Sequence, residues 1–374
     1  MNENQNLQES QAERQFDNFE SSPKKPSGKN IRAIIAAALA CLLLVISFVA
    51  ALCRISSGDS ESFDSSESEA SINSAFEDAS DISEESEEES IEYESSEAEY
   101  FPAINVVTPE GVTAAAIFEA DSLYCIYEKD SEAKRSIASI TKLITASVAV
   151  RYMPVETMIT VGSELELVKP DSSVCGLRSG YQLTLEQLLY GLLMSSGNDA
   201  AYTVAVNVAR YQSGNAEMGD SEAVEYFCGL MNELAKEIGA TDSSFANPEG
   251  WDHENNYSTV KDLAVIARYA KSQALIAKIA STVSYTTPIA SGGAMTFNNS
   301  NFLLHEEGRF YHPSVTGLKT GSTSGAGKCL VATVNIDGHE YIAVVLGCPN
   351  EETRYTSMLS LITYIEEYDN LKFA

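Results

Sequence analysis

The sequence predicts a mixed α/β (α+β) domain whose sheet is assembled from both ends of one segment, with helices inserted between. Three observations carry this. Strand-like runs open the segment after residue 100. Apolar residues then recur at helical spacing, and after Pro313 the period drops to two or to continuous apolar runs. Finally, Asp337-Gly338 separates Cys329–Ile336 from Tyr341–Leu346, a strong hairpin signal.

In chain order, Thr113–Phe118 and Leu123–Tyr127 read as two short strands around the turn Glu119–Ser122. Ile137–Arg151 is a helical apolar pattern. Thr184–Met194 repeats Leu185, Leu188, Leu189, Leu192 and Leu193 on one helix face, and Asp199–Arg210 continues as an Ala/Val-rich helix. Glu222–Ile238 and Ser258–Ser281 keep the same period. The two hairpin strands follow, and Glu351–Tyr368 closes as an amphipathic helix.

What precedes this domain differs in kind. The chain of 374 residues carries 24 Lys+Arg against 54 Asp+Glu, a formal charge of −30, and residues 55–100 hold 17 of the acids and no base. That excess leaves nothing to neutralise a run of phosphates, so nucleic-acid binding is excluded. No H-E-x-x-H and no C-x-x-C occurs, which argues against a zinc enzyme; no metal or cofactor is expected. Residues 33–53 contain no charge and are long enough to cross a bilayer as a helix. Lys24, Lys25, Lys29 and Arg32 precede them and only Arg54 follows directly, so residues 1–32 are expected in the cytoplasm and the rest outside. A cleaved signal peptide is the weaker reading, because the polar leader is long for one. Residues 54–100, about two thirds Ser, Glu and Asp, cannot offset the entropy of ordering and read as a disordered linker. As a tether it would reach about 40 Å. Residues 101–374 form the globular block. Its five cysteines, Cys125, Cys175, Cys228, Cys329 and Cys348, are an odd number; a Cys329–Cys348 bridge across the hairpin is conceivable, with buried thiols the default expectation.

Ser139 and Lys142 stand three apart at the start of a helical pattern, on one helix face. A serine needs a base to become a nucleophile, and a desolvated lysine serves if its pKa falls. S-x-x-K alone is weak evidence, since it occurs at Ser21, Ser22, Ser131, Ser139 and Ser258. The first two fall in the tail, Ser131 in a charged turn, and Ser258 at the head of a surface-looking helix. Two further motifs single out Ser139. Ser196-Gly197-Asn198 follows an apolar helix and precedes the small residues Ala200-Ala201; the other S-G-N, at Ser213, trails into polar residues and reads as a helix-ending turn. Gly317-Leu318-Lys319-Thr320-Gly321-Ser322 leads into the hairpin. The glycine-rich stretch onward to Lys328 is no phosphate loop, because Ser322 and Cys329 stand where that loop needs Gly and Ser/Thr.

The three motifs stand in order, the second and third 57 and 180 residues after Ser139. With them the domain resembles the low-molecular-mass penicillin-binding proteins, the D-alanyl-D-alanine carboxypeptidase family of serine peptidases. Leu188–Ala201 is similar to the family's second-motif region, and Phe245–Gly250 and Tyr257–Ala264 to its connecting segment; the likeness runs from Ala115 to Leu346. It implies a penicillin-binding-protein or serine β-lactamase-like fold, a five-stranded antiparallel sheet flanked by helices with an inserted all-helical subdomain. It further implies an acyl-enzyme on Ser139, Lys142 as its base and Ser196 as proton relay to the leaving amine. Asn198, Lys319, Thr320, Gly321 and Ser322 would hold substrate, with the backbone N–H groups of Ser139 and Ser322 as oxyanion hole. The implied partners are the D-Ala-D-Ala end of peptidoglycan stem peptides and, as covalent inhibitors, β-lactams.

Two departures stand out. Asn256 occupies a place where the family often carries His before Tyr-Ser-Thr, and the chain stops just after Glu351–Tyr368, where many members continue into a β domain and an anchoring helix. Anchoring is therefore expected from residues 33–53, giving a single-pass protein of a bacterial cell membrane with its catalytic domain on the wall side. A serine β-lactamase is less favoured, because no Glu-x-x-Leu-Asn occurs from Asp199 to Thr316. The same motifs would also suit a D,D-endopeptidase, or a penicillin-sensing or wall-docking domain without turnover.

Overall fold

The computed structural model describes residues 111–373. The expected tail, membrane segment and acidic linker (1–32, 33–53 and 54–100) lie outside the described residues. Among those described, no helix is long and apolar enough to cross a membrane.

Five antiparallel strands make the central sheet: β1 (Ala114–Glu119), β2 (Cys125–Lys129), β7 (Val315–Thr323), β8 (Gly327–Ile336) and β9 (His339–Cys348), in the order β2-β1-β9-β8-β7. β1, from the start of the domain, pairs with β9 from its end, from Ala114↔Leu346 to Glu119↔Tyr341. Asp337 and Gly338 take φ values of 48° and 98°, the mirror-image turn that matches the strand twist, as their dipeptide predicts. Side chains alternate across the sheet. Ala116, Phe118, Val331 and Val344 face the helical layer, whereas Ala115, Ile117, Ala332 and Val345 face the other side. There α7 (Glu351–Phe373) covers them with Tyr355, Met358, Leu361, Ile362 and Ile365.

The insertion carries α1 (Lys142–Tyr152), α2 (Leu185–Leu193), α3 (Asn198–Ser213), α4 (Asp220–Ile238), α5 (Val260–Ser272) and α6 (Ala274–Ser281). α2 starts in a capping box, with Thr184 and Gln187 each satisfying the other's backbone N–H. Two ribbons that the sequence does not announce complete it: β3 (Met158–Thr160) with β4 (Gln182–Thr184), and β5 (Ser284–Pro288) with β6 (Ala294–Asn298). Strands of three to five residues offer too little alternation to stand out.

Two predicted helices differ from expectation. Ile137–Arg151 opens as a 3-10 turn, Ala138–Thr141, and becomes α-helical only at Lys142. Ser258–Ser281 starts at Val260 and breaks at Gln273, whose backbone is extended (φ −85°, ψ 106°). The Gln273 amide donates to Ser147 Oγ in α1 at 2.9 Å, so a tertiary contact occupies the break and no Gly or Pro marks it. Ser258 is not on a surface helix: it is fully buried ahead of α5, with its hydroxyl 2.8 Å from that of Ser243. Gly214 of the second S-G-N ends α3 at φ 70°, the expected turn. The five cysteines are all free thiols, with Cys329 and Cys348 buried.

Candidate active site

Ser139 sits in the 3-10 turn between β2 and α1, and that turn is gripped from two sides by glycines. A Cβ on Gly250 would lie 2.0 Å from the carbonyl oxygen of Ala138, and Gly250 also has φ 91°. A Cβ on Gly321 of β7 would lie 2.9 Å from Ile137 O and 3.2 Å from Ser139 N. Only glycine allows both backbones so close. For Gly321, expected as a substrate contact, the structure gives this packing reason.

Lys142 follows one turn on and is fully buried. Its ammonium donates to Ser139 Oγ at 2.9 Å, Asn198 Oδ1 at 2.8 Å and the Glu249 carbonyl at 2.7 Å, which uses all three protons. Burial, opposed by the Glu249 and Asp199 carboxylates, brings its pKa down to about 7. The Glu249 carboxyl is itself buried and accepts from Tyr202 Oη at 2.9 Å; burial pushes its pKa up.

The second motif spans the turn from α2 to α3. Ser196 holds φ 56° and is 9% exposed; Asn198 begins α3 with its side chain on Lys142. Ser196 is not hydrogen-bonded to Lys142, whose donors are taken. The neighbouring Asp199 has no role assigned by the sequence. Its carboxylate accepts from the backbone N–H groups of Cys175, Gly176, Leu177 and Ala200, each at 2.9 Å, and so clamps the 175–177 segment to the head of α3. An acid in the first turn of a helix is the only signal the sequence offers for it.

The third motif lies on β7. Lys319 is 1% exposed and donates to Thr320 O at 2.9 Å; burial first, then the Lys142 and Arg354 cations, hold its pKa well below the ordinary lysine value. The Thr320 hydroxyl is engaged with Ser300 Oγ at 2.7 Å. Ser322, exposed, accepts from Lys328 Nζ at 2.8 Å. Asp252, also without a signal in the sequence, ties the rim together: its carboxylate accepts from Ser136 Oγ and Thr323 Oγ1, both at 2.6 Å, and from Gly325 N at 2.8 Å. Those hydrogen bonds, outweighing burial, lower its pKa.

Ser139, Asn198, Ser322 and Lys328 thus open on one cleft of about 540 Å³, with Trp251 and Asp252 on its wall. Lys142, Lys319 and Thr320 stand behind the wall. The arrangement offers a hydroxyl beside a buried amine able to lose its proton near neutral pH, the elements of nucleophilic acyl transfer.

The family model described as D-alanyl-D-alanine carboxypeptidase matches residues 106–350. The chain is 28% identical over 255 residues to the Bacillus subtilis D-alanyl-D-alanine carboxypeptidase DacF, covering 67% of this chain and 61% of the relative. It is 30% identical over 280 residues to Escherichia coli DacC, covering 71% and 64%. It therefore spans less than two thirds of the length of those two relatives. The crystal structure of the Streptomyces K15 DD-transpeptidase superposes with a TM-score of 0.63 at 28% identity, covering 69% of this chain and 98% of that one. With a match across most of the described domain and the three motifs gathered at one cleft, the chain belongs to the D-alanyl-D-alanine carboxypeptidase family.

Proposed function

We propose that the protein is a serine-type D-alanyl-D-alanine carboxypeptidase that removes the terminal D-alanine from peptidoglycan stem peptides and is acylated by β-lactams. The observation that carries this is Lys142 Nζ, fully buried and 2.9 Å from Ser139 Oγ. Neutral Lys142 takes the Ser139 proton as Oγ bonds to the carbonyl carbon of the penultimate D-alanine. Backbone N–H groups of Ser139 and Ser322 stabilise the oxyanion, a donor of that kind being worth about 3 kcal/mol. The C–N bond breaks, the leaving amine takes a proton through Ser196, and free D-alanine departs. Water then hydrolyses the ester, returning Ser139 to its hydroxyl and the shortened peptide to solution. Asn198 orients Lys142. Lys319 supplies positive potential toward the substrate.

We place this domain outside a bacterial cell membrane, anchored through residues 33–53 and tethered by 54–100. Protease added outside intact cells should cut within 55–100 and release the domain; protection until the membrane is broken would invert the topology.

For the activity, the full-length protein is incubated with a stem pentapeptide and D-alanine release is followed. Release by wild type, absent in Ser139→Ala, supports the function. A stable penicillin adduct without D-alanine release would indicate a sensor, and β-lactam hydrolysis a lactamase. The match to nearly the whole of a DD-transpeptidase chain favours one second reading, in which an amine in place of water takes the acyl group.

A further inference from the structure

Taking the Ser139–Lys142 acylation step of the carboxypeptidase reading as given, we infer that the Glu249 side chain is a positioning residue for Lys142: its buried carboxylate is the counter-charge against which the amine takes up the Ser139 proton. When that proton moves from Oγ to Nζ, a full positive charge appears on a side chain that is 0% exposed. The groups the amine touches there, Ser139 Oγ, Asn198 Oδ1 and the Glu249 carbonyl, are all neutral. An ammonium buried among neutral partners is unfavourable unless an opposite charge stands close by.

Glu249 is placed to be that charge. Its carboxyl is 2% exposed, and Oε1 accepts from Tyr202 Oη at 2.9 Å, whereas Oε2 is buried with no hydrogen-bond partner among the described residues. A half-satisfied carboxylate is costly in the interior, and a neighbouring cation offsets that cost. The backbone leaves the side chain no retreat. Lys142 and Thr145, three apart on one face of α1, hold the carbonyls of Glu249 and Pro248, each at 2.7 Å. Asn198 and Tyr202, four apart on α3, hold the lysine and the carboxylate respectively, so one helix face fixes both members of the pair. The other groups facing Lys142 are weaker candidates. Asp199 is taken up by four backbone N–H groups and acts on the amine less strongly than Glu249. Burial keeps the Cys175 thiol protonated, and Lys319 of β7 is a cation. Glu249 itself is also faced by Lys169 and by the buried Cys228 thiol.

The test follows acylation of the full-length protein by penicillin from about pH 5 to about pH 10, in wild type, Glu249→Gln, Glu249→Asp and Tyr202→Phe. Without the counter-charge Lys142 loses its proton more easily. In Glu249→Gln the limb near 7 should therefore move to lower pH by about one unit, raising the rate at pH 6 relative to the plateau about fivefold. The plateau itself should fall, because a less basic amine takes the proton less readily. Glu249→Asp keeps the charge and should keep the limb near its wild-type position. Tyr202→Phe strips the carboxylate of its hydrogen bond and should move the limb the same way as Glu249→Gln, by less. A rate lowered at every pH with the limb unmoved in Glu249→Gln is what a purely structural role would give, and it overturns the inference. An equal shift in Glu249→Asp overturns it too, as does an unmoved limb in Tyr202→Phe should the Gln variant fail to fold. Wild type that penicillin does not acylate at any pH refutes the carboxypeptidase reading itself, and so is distinguishable from an acylated wild type whose limb ignores residue 249.

Discussion

Gly250 passes so close to the nucleophile turn that a Cβ on it would stand 2.0 Å from the Ala138 carbonyl oxygen, one residue before Ser139. The connecting segment therefore sets the position of the reactive serine without contributing a side chain at that point, while its neighbour Glu249 gives Lys142 a carbonyl acceptor. Gly250→Ala should cost at least about 2 kcal/mol, from overpacking against backbone combined with an L-residue forced to positive φ. Thermal unfolding would show the loss. Penicillin acylation should fall with it, because the turn must shift; a variant of normal stability and rate would mean that the close approach is unimportant.

The pH dependence follows from Lys142. Its pKa of about 7 means that the amine is protonated below that pH and cannot accept the Ser139 proton. Acylation by penicillin should rise with pH through a limb near 7 and flatten above it. Lys142→Ala should abolish acylation across the range. A limb that persists in a still-active Lys142→Ala protein would assign the base elsewhere.

Lys319 is enclosed at 1% exposure, and its substitution by Arg keeps a charge while replacing a compact ammonium with a planar fork. Turnover of peptide should drop by tens- to thousands-fold, on the scale of single electrostatic contacts of about 2–4 kcal/mol. The fold should persist, as far-UV circular dichroism would show. Turnover close to wild type would remove Lys319 from the mechanism.

Asp199 holds four backbone N–H groups. Asp199→Ala leaves donors without partners, at about 1–3 kcal/mol for each one that stays buried. The melting temperature should fall and hydrogen exchange in 175–177 should quicken, with acylation slowed through Asn198 next door. Unchanged exchange in 175–177 would show that the clamp is dispensable.

Much of this could be read from the sequence, because it rests on local pattern. The hairpin at Asp337-Gly338, the apolar face of α2 and the Ser139–Lys142 spacing each involve residues a few positions apart. The hidden parts depend on tertiary encounters. The break at Gln273 is matched by a hydroxyl in α1, and the two short ribbons lack the length to show a period. Asp252 joins Ser136 to Thr323, residues 116 positions before it and 71 after it. Lys328 becomes part of the cleft only through its register with Ser322.

The central claim, that Ser139 is the one nucleophile, is tested most directly by mass spectrometry of the protein after exposure to penicillin. One adduct per chain should appear, mapping to the peptide that contains Ser139. It should vanish in Ser139→Ala and survive in Ser131→Ala, Ser213→Ala and Ser258→Ala, the last at some cost in stability because that hydroxyl is buried against Ser243. An adduct that persisted in Ser139→Ala, or that mapped to another serine, would contradict that assignment.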